Sequence, residues 1–343
     1  MTNKTVKTAL VGAGRIAFKL EKDTLRSKPC THLGALVEIN KVNEKFNIIG
    51  VCDLLKTNSN EAADFIAAGN AKPLISKDYK DIIKLHPDLL IIASTTNSHY
   101  EILMRAIHEG ISNIVCEKPI CLNKQEALKI YEKASNHGIQ IWVNYERRFH
   151  PKYIYIKSII DDKQAYGKIL SYTAQFFTPQ TKMHGDRDDE GVLLHDTTHL
   201  LDLAYYLFGA PVEEKRKENK SIITTENNIS HTMLISHKNS TNGILRTLLG
   251  SDYFHFEMEL LFEKARIRVG NGFYSVETGE HSPLYEGFIS LKKPVYIDKE
   301  PKNIVDNPFI RLYTDVYENK YNKAALKDAC QNVMRLSINS STS

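Results

Sequence analysis

The chain has 343 residues, of which 42% are hydrophobic and 25% charged, and its formal net charge is +4. These values predict a globular protein of two domains, and so mild a charge gives no reason to expect a nucleic-acid partner. No run of about 18 apolar residues occurs, so neither a membrane-spanning helix nor a membrane partner is expected. The five cysteines form no CxxC pair, which is typical of reduced thiols. The first predicted strand begins so early that it leaves no room for a signal peptide. Together with the reduced cysteines, this predicts a cytoplasmic protein.

A glycine-containing turn follows the first predicted strand. The apolar run Val6–Val11 leads into Gly12-x-Gly14-x-x-Ala17, in which the glycines permit a tight turn and close approach of a pyrophosphate, and the small third residue allows close packing. A helix is predicted to begin near Arg15 with its N-terminus directed at the phosphates, although such a turn alone also fits an ordinary loop. The predicted phosphate-binding residues are Gly12, Gly14, Arg15 and Ile16.

A carboxylate, Asp53, follows the second predicted strand, Asn47–Cys52. At this position it can accept hydrogen bonds from both ribose hydroxyls of an adenosine, and its charge repels a 2′-phosphate. We therefore predict NAD as the cofactor, with NADP less favoured; the alternative is that Asp53 only forms a turn. The gap from Gly12 exceeds the usual spacing of about 20 residues, which predicts an insertion at Glu21–Pro29.

Strands and helices then alternate regularly up to residue 146. Predicted helices cover Thr31–Ile39, Asn60–Ala68 (ending near Gly69–Asn70), Asp78 to Pro87, His99–Glu109 and Asn123–His137, and predicted strands cover Leu74–Ile75, Leu89–Ala93, Asn113–Cys116 and Ile139–Val143. Continuous apolar strands are typical of a parallel sheet buried on both faces. The alternation predicts that residues 1–146 form a Rossmann domain with a doubly wound parallel sheet.

The pattern changes beyond residue 146. A predicted helix, Pro151–Asp161, precedes strands at Ile169–Phe177, Ile229–Ser236, Gly243–Leu249, Phe254–Phe262 and Ala265–Val269, with one strong helix among them at His195–Phe208. Strands without intervening helices predict a large, mostly antiparallel sheet. Residues 147–343 are therefore interpreted as a domain for substrate binding and oligomerisation. The helical stretch Arg311–Met334 could pack back on the first domain.

Three polar groups follow strands of the predicted parallel sheet, where ligands bind in this architecture. Ser94–His99 suits contacts with ribose and pyrophosphate, or merely caps a helix. Lys118 could reach the nicotinamide and substrate, or be an ordinary surface charge. Asn144–Pro151 lies at the domain junction and could equally be a solvated hinge. The predicted cofactor-binding residues here are Ser94, Thr95, Asn97, His99, Glu117 and Lys118; Lys118 and Arg148 are predicted to bind substrate.

Two histidines mark the strong helix of the second domain. In a helix, His195, His199 and Asp202 would share one face, and an imidazole suits acid–base chemistry at neutral pH. Both histidines could instead be structural. The segment also resembles the zinc motif HExxH, but Asp196 replaces the glutamate and no third ligand is evident, so no metal is predicted. The histidines predicted to act in catalysis and substrate binding are His195 and His199.

In this order the motifs resemble the Gfo/Idh/MocA oxidoreductase family. The resemblance spans roughly residues 5–335, and its most specific part is Glu117-Lys118-Pro119. The motifs that carry it are Gly12-x-Gly14-x-x-Ala17, Asp53, Glu117-Lys118-Pro119, Arg148-Phe149-x-Pro151 and His199-x-x-Asp202. The resemblance implies a Rossmann domain followed by an α/β domain with an open sheet. It also implies NAD(P)-dependent oxidation of a sugar or cyclitol hydroxyl, or reduction of the ketone.

The resemblance maps the family's substrate-binding lysine onto Lys118 and its helix histidine onto His199. We expect His199 to exchange the substrate hydroxyl proton and Lys118 to stabilise charge on the oxygen. Many members carry an aspartate four residues before that histidine, where this chain has His195. Either His195 takes over its hydrogen bonds, or Asp196 or Asp202 orients His199.

The substrate class left open is a sugar, a cyclitol or a nucleotide-linked sugar. Thr178–Arg187 and Phe273–Gly287, with Phe273, Tyr274 and Tyr285, are candidate pocket-lining segments. A homodimer or homotetramer formed through the open sheet is expected. The competing interpretations are an NAD-dependent glycoside hydrolase of the same fold and a non-catalytic dinucleotide-binding regulator.

Overall fold

The computed structural model describes residues 5–66, 72–179, 193–212, 220–224, 229–296 and 306–337. The chain forms two compact units. The first, here called the parallel-sheet unit, comprises Met1–Phe149 and Lys302–Arg335. The second, the mixed-sheet unit, comprises His150–Pro301 and Leu336–Ser343. No helix within the described ranges is long and apolar enough to cross a membrane.

The parallel-sheet unit begins with strands and helices in alternation. Its strands are β1 (Val6–Val11), β2 (Phe46–Cys52), β3 (Leu74–Ser76), β4 (Leu89–Ile92), β5 (Asn113–Cys116) and β6 (Gln140–Val143). Its helices in this part are α1 (His32–Asn40), α2 (Lys56–Ile66), α3 (Tyr79–Ile83), α4 (Thr96–His108) and α5 (Lys124–Asn136). The strand order is β3-β2-β1-β4-β5-β6 and every neighbouring pair is parallel. The order reverses between β1 and β4, so their carboxyl ends border the crevice where such sheets bind ligands.

The helix predicted near Arg15 is absent, which corrects the sequence interpretation. Residues 14–18 form a single turn, and a 3₁₀ helix, Lys19–Lys22, follows it. The first α-helix starts only at His32, where the Thr31 side chain accepts a hydrogen bond from the Gly34 N–H. A helix begun at Arg15 could not pass Pro29, because proline has no N–H and disfavours helical backbone before it. The insertion predicted in this region thus displaces the helix downstream.

The mixed-sheet unit is built from nine strands in its described part. They are β7 (Ile169–Thr178), β8 (Lys220–Thr224), β9 (Ile229–Ser236), β10 (Asn242–Leu249), β11 (His255–Phe262), β12 (Ala265–Gly270), β13 (Phe273–His281), β14 (Ile289–Leu291) and β15 (Val295–Tyr296). The accompanying helices are α6 (Pro151–Asp161), α7 (Lys163–Tyr166) and α8 (Thr198–Phe208). Among the described strands, only the β7–β10 pair is parallel; the other described pairs are antiparallel. The predicted fold class, a Rossmann sheet plus a large and mostly antiparallel sheet, is confirmed.

The C-terminal helices belong to the parallel-sheet unit. The predicted single helix Arg311–Met334 is two helices, α9 (Pro308–Tyr317) and α10 (Lys323–Leu336). The break occurs at Asn319, whose φ is +54°, and Lys320 N–H there donates back to the carbonyl of Asp315. This is the ordinary left-handed termination of a helix. Phe309 and Tyr313 of α9 join the core formed by α1 and the sheet.

Two predicted features fall outside the described residues. They are the helix end near Gly69–Asn70 and most of the candidate lining segment Thr178–Arg187. Of the other candidate segment, Tyr274 is buried, whereas Tyr285 is exposed. Phe273 lies at the start of β13 and is half-buried.

Candidate active site

The glycine turn lies against the end of β4. Gly12 has φ +91°, and a Cβ on it would lie 2.3 Å from the backbone nitrogen of Ser94. Only glycine avoids both the left-handed strain and this contact. A Cβ on Gly14 would meet no atom within 4 Å. Gly12 is therefore required by the fold itself, whereas Gly14 borders open space.

Backbone donors are available at this turn. The backbone N–H groups of Gly14, Arg15 and Ile16 have no hydrogen-bond partner within the described part of the chain, and all three residues are at least partly exposed. By contrast, α1 offers no donors, because the N–H groups of His32 and Leu33 donate to the carbonyls of Ile16 and Ala17. The turn, and not the helix N-terminus expected from the sequence, presents N–H groups to an anion.

A true helix N-terminus lies at the end of β4. Helix α4 starts at Thr96, and its N-cap residue Thr95 makes no side-chain capping hydrogen bond. The first N–H groups of any helix have no partner within the helix. Ser94 and Ser98 share a 2.7 Å hydrogen bond between their hydroxyls, and Thr95 Oγ1 donates to Asn97 Oδ1 over 2.6 Å. Helix α4 therefore adds a second set of donors at the carboxyl edge.

The Asp53 carboxylate accepts three hydrogen bonds from neighbouring residues of the protein. Its Oδ2 accepts the Ala13 N–H at 2.8 Å, and its Oδ1 accepts the Leu55 N–H at 2.9 Å and Asn58 Nδ2 at 3.1 Å. These bonds tie the glycine turn to the start of α2. Since a carboxylate oxygen accepts about two hydrogen bonds, Oδ2 keeps capacity for one more. Both interpretations of Asp53, the turn former and the ribose ligand, are compatible with these contacts.

A buried polar network lies beside Lys118. Glu117 Oε1 accepts hydrogen bonds from His32 Nε2 at 3.0 Å and from Asn144 Nδ2 at 2.5 Å. His32 Nδ1 lies 2.7 Å from the hydroxyl of Tyr313. Burial raises the pKa of Glu117, but the hydrogen bond and charge of His32, the hydrogen bond from Asn144 and the charge of Lys118 outweigh it, so the pKa lies below its ordinary value.

Sequence reasoning missed His32 and Tyr313 as members of this network. His32 directly follows the helix-capping Thr31 in an unremarkable helix start, and Tyr313 is 281 residues away in sequence. No periodicity or spacing could connect them, since the contact exists only because α9 packs on α1.

His99 is buried and faces two backbone carbonyls. Its Nδ1 lies 2.9 Å from the carbonyl oxygen of Pro119, and its Nε2 lies 3.1 Å from that of Ser94. Burial is the largest influence and lowers the pKa of His99, so the neutral ring predominates at neutral pH. The neutral ring donates its one N–H to one of these carbonyls and packs between the ends of β4 and β5, which is a structural function beside its predicted contact with the cofactor.

Arg148 pairs with a carboxylate of the C-terminal helix. Its Nη2 lies 3.0 Å from Asp328 Oδ2, and both side chains are largely buried. Burial raises the pKa of Asp328 above its ordinary value, although the Arg148 charge opposes this shift. The guanidinium predicted to bind substrate is therefore also part of the packing of α10.

In the mixed-sheet unit, the two candidate histidines precede and begin α8. His195 lies in a π-helical turn, Leu193–Thr197, and His199 in the first turn of α8. Such turns occur often at functional sites, and this one alters the helical spacing on which the predicted common face depended. His195 and His199 are both partly exposed, whereas Asp202 is buried.

Neighbouring side chains fix the surroundings of these histidines. The ring of His199 meets that of Phe176 edge-on, with centroids 5.7 Å apart. Asp196 is buried and accepts a 3.1 Å hydrogen bond from the Thr178 hydroxyl on β7. Within the described ranges, no group of three or more His, Cys, Asp and Glu side chains has the arrangement of a metal site.

Comparison with known proteins matches the first part of the chain to a family model. Residues 6–145 match the family model described as the oxidoreductase family with an NAD-binding Rossmann fold. This match places the first part of the parallel-sheet unit with the Gfo/Idh/MocA oxidoreductase family. The family resemblance of the sequence motifs is thus confirmed, and the Rossmann assignment with it.

Curated relatives of the family are distant. An inositol 2-dehydrogenase/D-chiro-inositol 3-dehydrogenase of Lactiplantibacillus plantarum is 25% identical over 175 residues, which is 50% of this chain and 48% of that protein. Among the first relatives, the chain spans 48–59% of their length. These matches support the family without specifying a substrate.

Solved structures match over nearly the whole chain. A levoglucosan dehydrogenase in complex with NADH and levoglucosan has a TM-score of 0.74 at 17% identity, covering 96% of this chain and 95% of that chain. A UDP-N-acetylglucosamine 3-dehydrogenase from Acidithiobacillus ferrooxidans has a TM-score of 0.71 at 15% identity, with 97% of each chain covered. At these identities the likeness shows that the fold of both units is shared.

The residues of the turn fit a nicotinamide dinucleotide. Three backbone N–H groups at positions 14–16 without partners, the open space at Gly14 and the donors of α4 match the needs of a pyrophosphate. We conclude that the parallel-sheet unit is a dinucleotide-binding unit, with the family description as independent support.

Proposed function

We propose that the protein is an oxidoreductase that interconverts a secondary hydroxyl and a ketone on a sugar, cyclitol or nucleotide-linked sugar. The observation that carries this proposal is the dinucleotide cradle of the glycine turn after β1, with Lys118 at the end of β5, two strands away in the same sheet. Relatives named as inositol and levoglucosan dehydrogenases support a polyhydroxylated substrate. A homodimer or homotetramer formed through the open face of the mixed sheet is part of this proposal.

Separate residues are proposed to bind the cofactor, to transfer the proton and to bind the substrate. The free backbone N–H groups of Gly14, Arg15 and Ile16 would hold the pyrophosphate. Asp53 would bind the adenosine ribose, because its Oδ2 can accept one more hydrogen bond. A nicotinamide cofactor, when bound, supplies or accepts hydride. His199 exchanges the hydroxyl proton, and the ammonium group of Lys118 stabilises negative charge on the substrate oxygen. His195 and Arg148 bind neighbouring substrate groups.

Turnover with a panel of polyols tests the proposal. Purified protein is mixed with NAD or NADP and with inositols, aldoses, anhydrosugars and nucleotide sugars, and absorbance at the nicotinamide band is followed. We expect net reduction of the cofactor with at least one polyol. Release of an aglycone without net reduction would instead identify a glycoside hydrolase. Dinucleotide binding without either reaction would contradict catalysis and favour a regulator.

NAD is proposed as the preferred cofactor because of the Asp53 charge. Asp53→Asn should weaken NADH binding by about tenfold and leave NADPH binding equal or tighter, because an amide does not repel a 2′-phosphate. The measurement is fluorescence titration with both nucleotides. Since the amide also loses one backbone hydrogen bond, about 1–3 kcal/mol of stability should be lost as well.

Asn58→Ala is the matched control for that substitution. It removes a neutral donor to the same carboxylate but leaves the charge in place. We expect its ratio of NADH to NADPH affinity to equal that of the wild type. Equal losses for both nucleotides in Asp53→Asn would contradict the assigned contact with the ribose.

A further inference from the structure

The π-helical turn before α8 places two polar side chains in the core. In this turn, Leu193–Thr197, His195 is partly exposed, whereas the next two residues, Asp196 and Thr197, are buried. A buried polar side chain is costly unless it has a hydrogen-bond partner. The partners of Asp196 and Thr197 therefore show how the turn is held.

Two paired strands supply these partners. Asp196 accepts the 3.1 Å hydrogen bond from Thr178 at the end of β7. The Thr197 hydroxyl donates to the hydroxyl of Thr247 on β10 over 2.9 Å, and both of these threonines are fully buried. Strands β7 and β10 are neighbours in the sheet. Two consecutive residues of the turn are thus bonded to adjacent strands on the buried face of the sheet.

A row of side chains across the sheet connects Thr247 to His199. In register, Thr247 lies opposite His231 of β9 and opposite Phe176 of β7. His231 Nδ1 lies 3.4 Å from the Thr197 hydroxyl, which gives this side chain a second, longer contact. Phe176 is the residue whose ring meets His199 edge-on. The same row therefore contacts both the π-helical turn and the first turn of α8.

The geometry of the turn explains why such bonds matter. A π-helical turn joins residues i and i+5 instead of i and i+4, so it contains one residue more than an α-helical turn, and it is rare. Each residue of an α-helix is rotated by about 100° from the one before it. If the turn relaxed to an α-helix continuous with α8, the Cα–Cβ bond of His195 would therefore rotate by about 100° relative to that of His199. The bonds from the sheet to Asp196 and Thr197 oppose this rotation.

We propose that Thr197 and Thr247 are positioning residues for His195. Their hydrogen bond holds the π-helical turn on the sheet and so sets the direction of the His195 Cα–Cβ bond relative to that of His199. Loss of this bond should leave His199 in place, because the ring of Phe176 orients it. The catalytic meaning of this positioning rests on the proposed oxidoreductase function, in which His195 binds a substrate group, but the effect of the bond on the turn does not.

The test measures the accessibility of the two histidines without any substrate. Protein is treated briefly with diethyl pyrocarbonate at neutral pH, which acylates accessible neutral imidazoles. The modified fractions of His195 and His199 are quantified separately by tandem mass spectrometry. Exposed His281 at the end of β13 serves as the internal reference.

Thr197→Val replaces the hydroxyl by a methyl group of similar size. A turn that has lost a buried hydrogen bond opens more often, so modification of His195 should rise about fivefold while that of His199 stays within about twofold of wild type. Thr197→Ser keeps the hydroxyl and should restore the wild-type ratio of the two histidines. In turnover of a polyol, Thr197→Val should raise KM severalfold and leave kcat nearly unchanged, because binding is lost while proton transfer is kept.

Two further variants make this expectation specific. Thr247→Val removes the acceptor of the same hydrogen bond and should reproduce the result of Thr197→Val. Ile235→Val is the control for packing, because it removes one methylene group from the buried face of β9 and leaves every hydroxyl in place. Its ratio of His195 to His199 modification should equal that of the wild type.

Equal rises at both histidines in folded Thr197→Val would overturn the proposal, since general loosening would then account for them. An unchanged His195, or a serine variant that behaves like valine, would overturn it as well. If Thr197→Val fails to fold, the same ratio in Thr247→Val decides. Because the modification needs no substrate, a selective rise at His195 in a protein that turns over no polyol would contradict the proposed function and leave the positioning bond standing.

Discussion

His199→Ala is expected to lower kcat by roughly 10²–10⁴-fold, the range that general acid–base groups contribute. His199 is partly exposed in the first turn of α8, and its ring is oriented by an edge contact with Phe176. An imidazole can both take and return the hydroxyl proton near neutral pH, and alanine can do neither. The measurement is steady-state turnover with the best polyol from the panel, across pH 6–9.

Two variants make this expectation specific. His199→Gln keeps hydrogen-bonding atoms but cannot exchange a proton, so it should resemble alanine in kcat and stay closer to the wild type in KM. His281→Ala alters an exposed histidine at the end of β13 and should retain wild-type turnover. Activity of His199→Ala within a fewfold of wild type would remove His199 from the proton transfer and leave His195 as the candidate.

Local chemistry explains why the parallel sheet could be predicted. Strands such as Leu89–Ile92 are buried along their whole length and read as continuous apolar runs. Capping residues also act locally: Asn123 accepts a hydrogen bond from the N–H of Glu126 and starts α5 where the sequence places it. Helices and strands whose ends are set by residues adjacent in sequence can therefore be predicted from the sequence.

The insertion between β1 and α1 shows where such reasoning stops. A glycine turn predicts a helix directly after it, because that arrangement directs N–H groups at a pyrophosphate. Here the carbonyls of Ile16 and Ala17 instead accept the first N–H groups of α1. This docking joins segments separated by the insertion, and its existence depends on tertiary packing that composition does not encode.

Only those residues of the candidate site that follow strands could be predicted, because tertiary packing brings the other residues together. Gly12, Asp53 and Lys118 occupy strand ends, which the alternation of elements places at one edge of the sheet. Glu117 is bonded to His32 of α1 and to Asn144, which follows β6, and His32 is bonded in turn to Tyr313 of α9, a helix from the far end of the sequence. A network assembled from three elements has no signature in any one of them.

Substitution by alanine should lower the stability of the protein at Gly12 but not at Gly14. Gly12→Ala should lower the free energy of unfolding by about 3 kcal/mol, because it combines left-handed backbone strain with a 2.3 Å contact to rigid backbone at Ser94. This corresponds to a fall in Tm of roughly 6–12 °C. Gly14→Ala should leave Tm unchanged, since its Cβ meets nothing within 4 Å.

Measurements of NADH binding show whether Gly14, which the fold does not require, is needed for the dinucleotide. Gly14→Ala should raise the Kd for NADH by at least about tenfold, because its methyl group would occupy space that the pyrophosphate needs. Gly110→Ala is the control for strain alone: it has φ +73° and open space around its Cβ, so it should lose only about 1 kcal/mol and bind NADH normally. Calorimetry and fluorescence titration on the three variants give both quantities. Wild-type NADH affinity in Gly14→Ala would show that the cofactor phosphates lie elsewhere, and the assignment of the turn as their cradle would fall with it.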